Sequence, residues 1–136
     1  MVLFATYCSA EKDAAAGDLP AIERYQSERI SGVYANAQFA GARFGILSGQ
    51  YGLISADHPL PYYDHLLQMD QIPEATKNAH ATLVAWKVTE VKWFSVAFEM
   101  DPNVQRYRTV IEQAASQAGI DFDLTLWEPT GMLGLI

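Results

Sequence analysis

An α/β domain built on a mostly parallel sheet is the fold class this sequence predicts, on three observations. Short apolar runs alternate with stretches of helical periodicity, an order that implies right-handed crossovers between parallel strands. Three of the four apolar runs show no clean alternation of polar and apolar residues, as expected of strands buried on both faces. The chain is 136 residues long, within the roughly 100–200 residues of one domain. No repeat, low-complexity tract or linker interrupts it, so residues 1–136 are read as one domain.

Strands are expected at residues 2–8, 44–48, 91–98 and 122–127. The fourth alternates, with Phe122, Leu124 and Leu126 opposing Asp121, Asp123 and Thr125, which suits a half-exposed edge. The clearest helix covers residues 103–118, where Val104, Tyr107, Ile111, Ala114 and Ala118 step by three or four along one face. Asp101 can cap its orphan amides, Pro102 has a φ suited to the first turn, and Gly119 can stop it in the left-handed region. A second helix, residues 73–88, carries Ala75, Ala79, Leu83 and Trp86 on one stripe. A third lies within residues 19–40 and carries Ile22, Tyr25, Ile30, Val33, Tyr34 and Ala37. Gly32 is where a kink or split is expected, because glycine costs about 1 kcal/mol against alanine in a helix interior. A long loop separates the second strand from the helix at 73–88. Together these elements give three layers, with helices covering a sheet of four or slightly more strands in a Rossmann-like build.

Composition narrows the function classes. Nine Lys and Arg stand against 16 Asp and Glu, a formal charge of −7. So acidic a chain is poorly suited to neutralising many phosphates, and direct duplex DNA binding is not expected. Apolar residues make up 50% and charged residues 18%, too much core material for a disordered chain. A solitary Cys8 excludes an internal disulfide and a structural zinc site, which wants about four ligands. No run of about 18 apolar residues occurs, so no spanning helix and no membrane partner are expected. The start MVLFATYC lacks the basic region of a secretory signal, which with the free cysteine makes the cytoplasm the expected location. The apolar residues 132–136 suit docking on the core or on a second copy, so a homodimer is one expectation.

In sheets of this class ligands bind beyond the carboxyl ends of the strands. The sequence places Cys8, Ser9 and Lys12 there, then Ser48, Gly49, Gln50, Tyr51 and Gly52, then Glu99 and Asp101, and finally residues 128–131. In GILSGQYGLI (residues 45–54), Gly49 and Gly52 can adopt positive φ and let a ligand approach the backbone. The amides between them could form an anion-binding concavity, with hydroxyls from Ser48 and Tyr51. The same pattern also serves as a tight strand-exit turn. It is neither a GxxxxGK[ST] phosphate loop nor a GxGxxG fingerprint, and no cofactor is expected.

Ser9 could donate a hydrogen bond, and Lys12 could hold a phosphate or carboxylate as a point charge. Cys8 ends an apolar run and reads as a buried, inert thiol. The loop HPLPYYDH (residues 58–65) suits the wall of a pocket. His58, His65 and Asp64 lack the i, i+4 spacing of a helical metal site, so no metal is expected. Asp64 with His65 is the candidate acid/base pair, and Tyr62 and Tyr63 could stack on a planar base. Arg24 and Arg29, with Glu23 and Glu28, read as a solvated helix face, and Arg106 and Arg108 as surface charges.

Ser9 and Lys12 after the first strand, ILSGQYGL at residues 46–53, and Pro61, Tyr62, Tyr63 and Asp64 resemble a domain-of-unknown-function family. Its members carry an LS[AG]KYGL-like strand exit and a PYD-like loop, a signature similar to that of the peroxide-stress protein YaaA family. The resemblance covers the first half of the chain. Where the family often has Lys after the small residue, Gln50 stands here, so an anion held in that region falls to Lys12 or loses a charge. The family's Pro-Tyr pair matches either Pro61 and Tyr62 or Tyr62 and Tyr63. YaaA relatives are longer, and the resemblance implies DNA binding through parts that this short acidic chain lacks. Related domains occur beside enzymes of modified-guanine chemistry, which implies a nucleobase or nucleotide ligand.

The expected function is binding of a nucleotide- or nucleoside-like small ligand at the strand ends, by Ser9, Lys12, Ser48, Gly49, Gln50, Gly52 and Tyr63. If the ligand is hydrolysed, for example at an N-glycosidic bond, Asp64 and Tyr51 are the catalytic candidates, with Glu99 and Asp101 as reserve carboxylates. The alternative is a non-enzymatic accessory module associated with nucleic acid or stress, as for the YaaA relatives. A third reading is a structural protein in which SGxYG only marks the fold.

Overall fold

The computed structural model describes residues 1–97 and 99–127. In chain order the elements are β1 (Val2–Tyr7), β2 (Leu19–Pro20), α1 (Ala21–Arg24), α2 (Glu28–Ala40), β3 (Arg43–Ser48), β4 (Gly52–Ile54), β5 (Pro59–Leu60), a 3-10 turn (Met69–Gln71), α3 (Ile72–Ala85), β6 (Glu90–Ser95), α4 (Val104–Gln117) and β7 (Asp121–Leu126). Five strands form one sheet in the order β4-β3-β1-β6-β7, and only β4 runs antiparallel to its neighbour. The α/β class and the mostly parallel sheet are as the sequence predicts. The fifth strand, β4, lies where a loop is expected. Three residues are too few to show a period of two, and only pairing with β3 reveals it.

Successive strand side chains point to opposite faces, and the core divides accordingly. Leu3, Ala5, Val91 and Trp93 join Leu83 of α3 and Ile111 of α4 in one buried cluster. Phe44, Ile46 and Phe94 join Ile30, Val33 and Ala37 of α2 in the other. β7 is the edge strand its alternation implies, with Phe122 and Leu124 half-buried and Asp121 and Asp123 exposed, but Leu126, expected on the inner face, is exposed at the strand's end. Gly119, at φ 69°, ends α4 in the left-handed region as expected. Asp101 Oδ1 accepts the Asn103 N–H at 3.1 Å ahead of that helix.

Two expectations are corrected. The stretch at 19–40 does split, but at residues 25–27 and not at Gly32. Tyr25 is extended, and Ser27 opens α2 as an N-cap whose hydroxyl accepts the Ile30 N–H at 3.2 Å. Gly32 sits inside α2, where the ring of Trp127 occupies the space a Cβ would need. Its smallness serves packing. Arg24 is likewise no solvated side chain, being fully buried at the end of α1. Its guanidinium donates to the carbonyls of Leu60 (3.1 Å), Asp13 (2.6 Å), Ala15 (2.9 Å) and Gly17. The break after four helical residues turns Arg24 off the face that one continuous helix would present.

The third strand ends at Ser95. Phe98, its expected end, lies outside the described residues, as do the loop at 128–131 and the apolar segment at 132–136. No helix among the described residues is long and apolar enough to cross a membrane.

Candidate functional site

Central strand β1 leads through α2 to β3 on one side, while its other neighbour β6 leads through α4 to β7 in the opposite direction. Such a reversal leaves a crevice beyond the strand ends. A cavity of about 550 Å³ lies there, floored by Tyr7 and Cys8 at the end of β1 and by Val96 just past β6. That volume falls within the roughly 300–1,000 Å³ of small-molecule sites. Ser9 and Lys12 form one wall, Asp64, His65 and Leu66 another, and Asp101, Val104 and Tyr107 close the α4 side.

Arg29, read from sequence as surface charge, is half-buried and faces the same cavity. It stands in the first turn of α2. Its Nη1 donates to Thr6 Oγ1 (2.5 Å) and to the Tyr7 carbonyl (2.6 Å), its Nη2 donates to the Cys8 carbonyl (3.2 Å), and it stacks 3.6 Å over the Tyr7 ring. Desolvation lowers its pKa, with the surrounding phenol, thiol and Asp101 acting the other way. The sequence signal was the Ser27 cap, which puts Arg29 at the helix start next to the end of β1. Tyr107 was legible only as a core residue of α4.

Lys12 Nζ lies 4.6 Å from the Tyr63 ring centre and 5.8 Å from that of Tyr25, with one long contact, 3.4 Å, to the Ala10 carbonyl. Ser9 Oγ donates to the Glu11 carbonyl at 2.8 Å. Asp64 is exposed at the wall, and Asp101 is half-buried. The Gln71 side-chain oxygen accepts the Gln68 N–H at 2.9 Å, so the 2.8 Å contact from His65 Nε2 is a donation to the same oxygen. A neutral His65 therefore carries its proton on Nε2 and leaves Nδ1 as an acceptor. Cys8 is half-buried rather than buried, and its thiol donates to the Tyr107 hydroxyl at 3.7 Å.

Of the residues singled out from sequence, Cys8, Ser9, Lys12, Asp64, His65 and Asp101 line the cavity, while Ser48, Gly49, Gln50, Tyr51, Gly52 and Tyr63 stand outside its lining. Glu99 is exposed and also outside the lining. Ser48 is buried, and its Oγ accepts the Gln50 and Tyr51 amides at 3.1 and 3.0 Å. The amides offered to an anion by the sequence are thus bonded within the turn. With both lone pairs used, the Ser48 hydroxyl donates to Tyr63 (2.7 Å), and Tyr63 in turn donates to Tyr25. Tyr51 packs edge-on against Tyr63, ring centres 5.1 Å apart. Gly52 takes φ 77° to turn the chain into β4. Among the described residues no three His, Cys, Asp or Glu side chains gather to hold a metal.

Burial, first among several causes, pushes the phenols of Tyr25, Tyr63 and Tyr107 well above their usual value of about 10. A folded pKa above the unfolded one means the stabilisation is complete below about pH 10 and lost as pH rises further. Alkaline titration followed by phenolate absorbance should therefore show these three ionising together with unfolding. Their ionisation in a chain still folded by circular dichroism would contradict the hydrogen-bonded arrangement.

No family model, curated protein or solved structure matches this chain.

Proposed function

We propose that this chain is a small-molecule-binding domain of Rossmann-like, three-layer build, and that its ligand is nucleotide- or nucleoside-like and sits in the cavity beyond β1 and β6. The observation that carries this reading is the convergence of Lys12, Arg29, Asp64, His65 and Asp101 on one cavity whose remaining lining, apart from Ser9 and Asn103, is apolar or aromatic. A few placed polar groups on an apolar lining are the usual make-up of a small-ligand site. The resemblance of ILSGQYGL and the Pro61 to Asp64 stretch to YaaA-like domains supports the same end of the sheet. In this reading the SGQYG turn shapes the site from behind, through Tyr63 and Tyr51, and does not touch the ligand. If the ligand is hydrolysed, Asp64 is the group placed to move a proton, with His65 beside it.

A thermal-shift screen of nucleosides, nucleotides and modified bases tests the binding. A ligand at 100 times its dissociation constant adds about 2.7 kcal/mol of stability, so a true ligand raises Tm clearly. Where a ligand is found, Asp64→Asn should keep the shift and abolish any turnover. Unchanged turnover removes Asp64 from the chemistry, and a screen without a shift removes the ligand class.

A further inference from the structure

We propose that the ligand of this cavity carries one oxyanion group, a carboxylate or a single phosphate ester, on a largely apolar body, and that Arg29 and Lys12 hold that group. The proposal rests on reading the cavity as the ligand site. In a chain with 16 acidic and nine basic residues, two of the cations line one cavity. Among the described residues neither has a carboxylate within 4.0 Å.

Arg29 is held rigidly by its three acceptors and the Tyr7 ring. A guanidinium has five N–H groups. The three bonds leave one on Nε and one on Nη2 without an acceptor among the described residues. Such a planar fork fits the oxygens of a carboxylate or phosphate. Lys12 is the more mobile charge, held by one long contact and the face of Tyr63. Partly desolvated cations without a counterion are costly, and an anion seated between them offsets that cost.

The rest of the lining sets the charge of the guest. Leu66, Val96, Met100 and Val104 give an apolar surface, and Asp64 and Asp101 bring two carboxylates to the same space. Asp64 and Asp101 already match Lys12 and Arg29 in charge, so every negative charge the guest brings is in excess. One oxyanion keeps that excess small, whereas a polyphosphate multiplies it beside both carboxylates and a net charge of −7.

The test measures dissociation constants of the full chain for phenyl phosphate, benzoate, adenosine, adenosine monophosphate and adenosine triphosphate. The monophosphate and phenyl phosphate should bind, the triphosphate should bind about tenfold more weakly, and Lys12→Gln should weaken the monophosphate about tenfold. Arg29→Gln should do the same where it folds. Lys12→Gln removes one long hydrogen bond and the charge over the Tyr63 and Tyr25 rings, so its affinity is decisive once circular dichroism shows the fold intact, and Lys12→Arg should restore binding. Binding of phenyl phosphate or benzoate without any adenine compound upholds this proposal and overturns the nucleotide reading. Adenosine bound as tightly as its monophosphate, with Lys12→Gln neutral, overturns this proposal and leaves the nucleotide reading standing. A triphosphate bound as well as the monophosphate overturns it too, and no binding by any probe overturns both.

Discussion

Replacing Arg24 by Met is expected to destabilise the protein by ~3–5 kcal/mol, a large part of the roughly 5–15 kcal/mol of a typical domain. The side chain is fully buried, and its four backbone acceptors lie in two separate segments. Hydrogen bonds from a charged group contribute about 1.5–3 kcal/mol each, though not additively. Removing the buried charge returns part of its desolvation cost. The loss therefore falls short of the sum of four bonds, and stays large because four carbonyls lose their donor together. Arg24→Lys keeps the charge but not the planar fork, so it should recover less than half of the loss. Urea unfolding at constant m-value measures both; a shift for Arg24→Met below about 1 kcal/mol would show that water replaces the guanidinium at the carbonyls.

That one residue ties together the two segments that adjoin the Lys12 and Asp64 walls of the cavity. Residues 13–17 hang from Arg24, and the Leu60 carbonyl that it also holds begins the segment leading to Asp64. Around it the backbone is tied again, by Asp13 N–H to the Arg24 carbonyl (2.7 Å), by Gln26 N–H to the Glu11 carbonyl (2.9 Å), and by the Lys12 to Tyr25 bridge. The position of Lys12 at the cavity thus follows from a clamp more than ten residues away.

None of this was readable by periodicity. The four long strands and the helices α3 and α4 were legible because each spans enough residues to repeat its pattern, and α4 carried Asp101 and Gly119 at its ends as well. β4, the two-residue ribbon of β2 with β5, and the four-residue α1 are too short to show a period. They are defined by partners distant in sequence, such as Leu19 with Leu60. Missing the break at residues 25–27 put Arg24 and Arg29 on a water-facing stripe, although one is a structural clamp and the other lines the cavity. The strand-end rule did place Ser9 and Lys12 at the cavity, and the tyrosine-rich loop did bring Asp64 there. The SGQYG turn stands outside the cavity lining, and its place has a physical reason: its glycines and hydroxyls have the chemistry of a ligand loop, and Ser48 uses that chemistry to close the turn on itself.

Gly49 shows what the turn does for the site. A Cβ there would stand 3.0 Å from the Leu67 amide nitrogen, 3.0 Å from the Tyr107 hydroxyl and 3.2 Å from the His65 carbonyl. Two of those neighbours are backbone and cannot swing away, so the chain on one side must move. Gly49→Ala is expected to cost about 1–3 kcal/mol, the usual range for overpacking. Its effect reaches the cavity, because His65 and Tyr107 line it and the Tyr107 hydroxyl accepts the buried Leu67 N–H at 3.0 Å. Tyr107→Phe removes that hydroxyl and should itself cost about 1–3 kcal/mol by leaving the Leu67 amide unpaired. It also frees the space that the new methyl group needs. The two substitutions should therefore couple, with Gly49→Ala costing at least about 0.5 kcal/mol less in the Tyr107→Phe background than alone. Additive costs across the four proteins of that cycle would mean that the Tyr107 hydroxyl does not limit the space at residue 49, and that the clash falls on the Leu67 and His65 backbone.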